Sequence, residues 1–224
     1  MKNLLPTIEI ETAPKPSAAV IWLHGLGADG NDFAGIVPAL KLTGTPPVRF
    51  VFPHAPRIPV TVNGGYIMPA WYDILGIDLV SIQDAAGIHR SAAAISALID
   101  NEIERGIPAE NIVLAGFSQG CAMALHTGLR FPQRLAGIMA LSGYLPLAET
   151  VAAERDKVNQ QTPILMAHGS MDPVVIQLRG EASRDALLAL GYSVEWRSYL
   201  MAHAVHPSEL LDISRFLVDV LGDR

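Results

Sequence analysis

Apolar and polar positions alternate along the 224 residues in two kinds of segment. Short apolar runs at 18–23 (AAVIWL), 48–52, 112–117 (IVLAGF), 135–141 and 164–167 have the length and character of buried strands. Residues 7–11 alternate like a short edge strand, and 193–199 supply a final one. Between the strands lie segments with helical character. The longest, 81–105, carries Ile88, Ala92, Ile95 and Ile99 as a core stripe; Ser81 and Asp84 resemble a capping arrangement, and Gly106 and Pro108 stop it. Residues 121–129 are small and helix-favouring until Pro132 forbids continuation. Residues 176–190 read as helical and close at Gly191, 207–221 form the last helix, and 147–161 is a more polar surface helix and loop. Strands alternating with helices predict an α/β fold, a mostly parallel twisted sheet with helices on both faces.

One excursion interrupts this alternation. After 48–52, residues 60–62 and 66–68 flank Asn63-Gly64 and predict a small hairpin with a tight turn. Beyond Trp71-Tyr72-Asp73, residues 74–80 (ILGIDLV) are apolar without helical spacing. Such a stretch is either a buried connection or a flap lining an apolar groove, and the pattern alone does not choose.

Composition narrows the class. Half the residues are hydrophobic and 17% charged, enough for a sizeable core and most simply one domain over residues 1–224. A net charge of −6 without a Lys/Arg cluster argues against nucleic acid as a partner. The single cysteine excludes an internal disulfide framework and a multi-cysteine metal site. The opening MKNLLPTIEIET is too poor in apolar length for a signal peptide. No stable membrane insertion is expected, and the expected location is cytoplasmic.

The chemistry gathers at Gly116-Phe117-Ser118-Gln119-Gly120, a G-x-S-x-G motif between a predicted strand and a predicted helix. That context leaves Ser118 exposed on a sharp turn as a candidate nucleophile. The helix behind it aims its positive end, and the Gln119 N–H, at a forming anion. The loop His24-Gly25-Leu26-Gly27, after 18–23, lacks the spacing for phosphate binding but suits a second oxyanion donor, the backbone N–H of Leu26. A serine needs a base that is itself oriented by a carboxylate. Downstream of Ser118 stand His126, His168, His203 and His206. His126 lies about 12 Å along the helix, out of reach, and His168 has only Asp156, in a polar surface segment, between it and Ser118. His206 precedes Pro207 and a helix, whereas His203 is mid-loop, so His203 is the preferred base. Asp172 lies between Ser118 and His203, as the order serine, acid, histidine on this architecture requires, although Asp172-Pro173 also reads as a helix cap. Cys121, the rival nucleophile, more simply packs as a small buried hydrophobe.

Together with Leu23-His24-Gly25-Leu26-Gly27, Trp71-Tyr72-Asp73, the run 168–175 (HGSMDPVV) and Tyr199-Leu200-Met201-Ala202-His203, the serine motif resembles small carboxylesterases, lysophospholipases and acyl-protein thioesterases of the alpha/beta-hydrolase group. The resemblance covers nearly the whole chain. It implies a triad of Ser118, Asp172 and His203 with oxyanion donors at Leu26 and Gln119. It also implies an acyl groove bordered by residues 71–79, with Trp71, Leu75, Ile77 and Leu79 as substrate-binding residues. Ala204 and Leu200 depart from the polar residue and the Gly or Pro often found at these places. The implied activity is hydrolysis of carboxylic or thioesters of short to medium acyl chains through an acyl-enzyme, with no cofactor or metal and a possible homodimer. Alternatives are lysophospholipase or acyl-protein thioesterase as the main activity, acyl transfer to another acceptor, or a non-catalytic binding protein on the same scaffold.

Overall fold

The structure is a computed structural model and describes residues 4–76 and 82–222. Seven strands form the main sheet: β1 (Thr7–Glu11), β2 (Ala18–Leu23), β3 (Val48–Pro53), β6 (Ile112–Phe117), β7 (Gly137–Leu141), β8 (Ile164–Gly169) and β9 (Val194–Tyr199). Their order across the sheet is β1-β3-β2-β6-β7-β8-β9. Every pairing is parallel except β1 with β3, which puts the alternating segment antiparallel at one edge. A separate hairpin pairs β4 (Arg57–Val60) with β5 (Tyr66–Pro69).

Among the described residues six α-helices pack around the sheet: α1 (Asn31–Ala34), α2 (Ala85–Glu104), α3 (Gln119–Arg130), α4 (Val151–Glu154), α5 (Gln177–Ala189) and α6 (Pro207–Leu221). The central strands are apolar at every position because both of their faces are covered. On β2, Ala19, Ile21 and Leu23 face the cluster containing Ile88, Ile95 and Ile99 of α2 and Leu125 and Leu129 of α3. Ala18, Val20 and Trp22 face the other layer, with Phe33 of α1 and Ile213, Phe216 and Leu217 of α6.

Several boundaries shift by one to four residues from the sequence pattern, and two of them bear on the site. Helix α2 starts at Ala85, and the Asp84 side chain caps it by accepting from the Gly87 N–H at 2.9 Å; Ser81 lies outside the described residues. The hairpin's first strand ends at Val60, because Thr61–Asn63 curls into a 3-10 turn closed by Gly64 at φ 67°. Asp73 holds that turn, accepting from the Thr61 N–H at 2.7 Å and from its hydroxyl at 2.5 Å.

The strand order positions the site. From β2 the chain passes to β3 on one side of the sheet, then returns to lay β6 on the other. Adjacent strands whose connections leave in opposite directions open a crevice beyond their carboxyl ends. Leu23 pairs with Gly116 there, so the loop after β2 and the turn after β6 emerge side by side.

Candidate active site

Ser118 sits at that crevice with φ 57° and ψ −117°, between the last residue of β6 and the first of α3. Its N–H donates to the Leu141 carbonyl at 2.9 Å, and its side chain caps nothing. Both glycines of the motif are required by close approach. A Cβ on Gly116 would fall 2.0 Å from the Gly120 carbonyl oxygen, and one on Gly120 would fall 2.2 Å from that of Leu23.

The candidate acid and base come from neighbouring strand ends. Asp172 follows β8 and His203 follows β9. Backbone bonds lace the two loops together: Ser170 N–H to the Tyr199 carbonyl at 2.8 Å, and Met171 N–H to that of Met201 at 3.1 Å. Asp172 Oδ2 lies 2.6 Å from His203 Nδ1, and its Oδ1 accepts the N–H groups of Val174 and Val175 at 2.8 and 2.9 Å. Those two bonds close a local turn, not the helix cap that Asp172-Pro173 suggests; the N-cap of α5 is Ile176. A carboxylate on Nδ1 fixes the tautomer of His203 with its lone pair on Nε2. The imidazole packs on Phe117, the residue before Ser118, with 4.7 Å between ring centroids.

The other histidines have different duties. His206 is the N-cap of α6 and accepts from the Ser208 N–H at 3.1 Å. His168 is buried and bonds the Val175 carbonyl from Nε2 at 2.7 Å; desolvation holds its pKa below the usual range. His126 is buried with neither ring nitrogen bonded, and desolvation pushes its pKa down to about 3. Cys121 is fully buried, and burial raises its thiol pKa far from nucleophilic use.

Two N–H groups face the crevice unpaired by secondary structure. Gln119 opens α3, so no carbonyl one turn back in the helix receives its N–H. In the loop after β2, the Gly27 N–H goes to Pro69 at 2.9 Å and that of Ala28 to Gly25 at 3.3 Å, while the Leu26 N–H makes no hydrogen bond among the described residues. His24 braces this loop. The Ala55 N–H donates to Nε2 at 3.1 Å, so Nδ1 carries the proton and donates to the Gly25 carbonyl at 2.7 Å; burial lowers the pKa of the ring.

Trp71 is a brace rather than a lining residue. It is 1% exposed, its indole N–H donates to the His24 carbonyl at 2.8 Å, and its carbonyl accepts the Ser91 hydroxyl. The Gln119 side chain clips the same segment, accepting from the Trp71 N–H at 2.8 Å and donating to the Tyr72 carbonyl at 2.7 Å. A cavity of about 300 Å³ opens beside Ser118, lined by Leu26, Val62, Asn63, Tyr72, Ile74, Gly76, Gln119, Tyr144, Val174 and Val175. Leu75 lines a neighbouring small pocket instead, with Tyr72 and Tyr144, and Ile77 and Leu79 lie outside the described residues. Val62, Tyr144, Val174 and Val175 escaped sequence reasoning because they come from a hairpin turn and two strand-end loops that only the sheet order brings together. A larger hollow of about 420 Å³, near Ser17, Asn111 and Leu221, opens at the amino end of β6 and contains none of the candidate site residues. Among the described residues no group of three or more His, Cys, Asp or Glu side chains could hold a metal ion, and no helix is long and apolar enough to cross a membrane.

A mostly parallel sheet with a serine on a strand-turn-helix elbow, and an Asp–His pair two strands away, defines an alpha/beta-hydrolase. The family model described as Phospholipase/Carboxylesterase matches residues 6–221, and the chain belongs to that family. Acyl-protein thioesterase 1 of Neurospora crassa is 43% identical over 96% of this chain and 92% of that protein. Its Schizosaccharomyces pombe namesake is 41% identical over 84% of this chain and 83% of its own length. Among solved structures, Arabidopsis thaliana SOBER1 superposes with a TM-score of 0.86 at 31% identity, covering 91% of this chain and 99% of that one. Zea mays acyl-protein thioesterase 2 gives 0.85 at 30% identity, covering 96% and 99%. The chain is thus a hydrolase of the carboxylesterase and thioesterase type.

Proposed function

We propose that this protein cleaves carboxylic and thioesters of short to medium acyl chains through an acyl-enzyme on Ser118. The observation that carries the reading is the 2.6 Å bond between Asp172 and His203, made from the loop that packs against the elbow strand. His203 Nε2 takes the Ser118 proton as Oγ attacks the acyl carbonyl, and Asp172 stabilises the imidazolium that forms. The N–H groups of Leu26 and Gln119 receive the oxyanion. His203 then protonates the leaving alcohol or thiol and activates the water that releases the acid.

The acyl chain occupies the cavity beside Ser118, whose side chains are largely apolar. Relatives named acyl-protein thioesterases favour a thioester as one natural substrate class, and the family description, which names phospholipase, agrees with lysophospholipase activity as the alternative. Under the same reading residues 1–224 act as one cytoplasmic domain, and a homodimer is the assembly to test by light scattering.

Ser118→Ala should lower turnover by on the order of a million-fold, as nucleophile removal does in subtilisin, while leaving the circular dichroism spectrum and melting temperature near those of the parent. Substantial hydrolysis by the purified variant would move the chemistry to another residue.

A further inference from the structure

The cavity beside Ser118 has one feature that acyl binding alone does not explain. Tyr72 and Tyr144, from the loops after β5 and β7, both line it, and their hydroxyls are 2.9 Å apart. The rings are 2% and 6% exposed. Two phenols own two donor protons, and a bond between them uses one. Neither hydroxyl has another hydrogen-bond partner among the described residues, although Arg179 acts electrostatically on Tyr144 and Cys121 on both. Among the described residues one O–H is therefore left without an acceptor, at a wall that this largely apolar cavity shares with the small pocket beside it. Burial raises the pKa of both phenols, so the pair stays protonated throughout the working range of a histidine base.

A buried polar group without a partner is costly, and a site built around one rewards the ligand that supplies the missing bond. A plain alkyl chain leaves the spare O–H unsatisfied and displaces any water that served it. A chain with an oxygen at the matching depth satisfies it. We propose that the Tyr72–Tyr144 pair is a hydrogen-bond-donating subsite that selects acyl groups carrying a carbonyl or hydroxyl oxygen along the chain. This rests on the reading of Ser118 as the acyl-accepting nucleophile.

The test is kcat/KM for matched esters of one leaving group: pentanoyl with 4-oxopentanoyl, hexanoyl with 5-oxohexanoyl, heptanoyl with 6-oxoheptanoyl. The parent should show an oxo-to-plain ratio that peaks at one chain position, because a fixed donor meets the oxygen at one depth. A ratio that is flat, or falls steadily with distance, is an inductive effect and overturns the proposal. In the double variant Tyr72→Phe/Tyr144→Phe the peak ratio should drop roughly three- to tenfold, the worth of one net hydrogen bond. Each single variant keeps one phenol and should retain the peak. A fall of less than threefold in a folded double variant overturns the subsite. Ser118→Ala run beside them separates the two failures: an inactive Ser118→Ala together with an unchanged ratio in the double variant condemns the subsite alone, whereas activity retained by Ser118→Ala condemns the nucleophile assignment.

Discussion

His203 and His206 stand three residues apart in one chain segment, yet their partners divide their duties. His203 bonds Asp172 and packs on Phe117, while His206 spends its Nδ1 on the Ser208 N–H. His203→Ala should therefore abolish ester hydrolysis with little change in stability. His206→Ala should keep most activity but lower stability by about 1 kcal/mol, the usual worth of a cap. Rates and urea midpoints on both variants check this, and reversed effects would reassign the base. The distinction is legible from sequence, since Pro207 marks His206 as a helix start. The role of Trp71 is not: no local pattern tells that its indole meets the carbonyl of His24, forty-seven residues earlier.

At the scale of elements, the strand 112–117 and the helix 207–221 have the bounds that their apolar patterns predict. Uniform burial on both faces and a Pro-led capping box make such segments locally decided. The hairpin is less so, because Asp73 pulls Thr61 into a turn from twelve residues away. Helix α6 also carries a buried acid in its first turn. Glu209 accepts the His206 N–H at 3.2 Å through Oε2, leaves Oε1 unpartnered, and is raised by desolvation from 4.5 to about 7. A folded-state pKa above the unfolded one means stability fully present below about pH 4.5 and lost as pH rises through about 7. Glu209→Gln keeps an acceptor for His206 and removes the titration. It should raise stability at pH 8 by on the order of 2 kcal/mol relative to its effect at pH 5. Denaturant melts at the two pH values measure this, and an equal effect at both would place the ionisation elsewhere.

For the whole molecule, the candidate site is an assembly of loops from β2, β6, β7, β8 and β9 with a wall from the excursion after β3. Motifs in the sequence identify the loops; the wall's composition is decided by which side chains the sheet order brings to the crevice. Ile74 lines the cavity beside Ser118 and Leu75 does not. If acyl chains fill that cavity, each buried methylene adds up to about 0.8 kcal/mol to specificity. Ile74→Asp should flatten the rise in kcat/KM from acetyl to hexanoyl esters while sparing acetyl turnover. Leu75→Asp should leave the rise largely intact. Equal loss for all esters in folded Ile74→Asp would make the segment purely structural.

The backbone of Ser118 has a consequence for how this chain can drift. Its φ of 57° with ψ of −117° is a conformation that a residue with a Cβ occupies at a cost of order 1–3 kcal/mol. Glycine bears no such cost there, and the alanine variant bears all of it. Ser118→Gly should therefore melt several degrees above Ser118→Ala, both being inactive, and equal melting temperatures would show an unstrained elbow. The most fragile point of the activity is then also a point where losing it makes the fold more durable. A lineage released from selection for hydrolysis would be expected to keep the scaffold and shed Ser118 first.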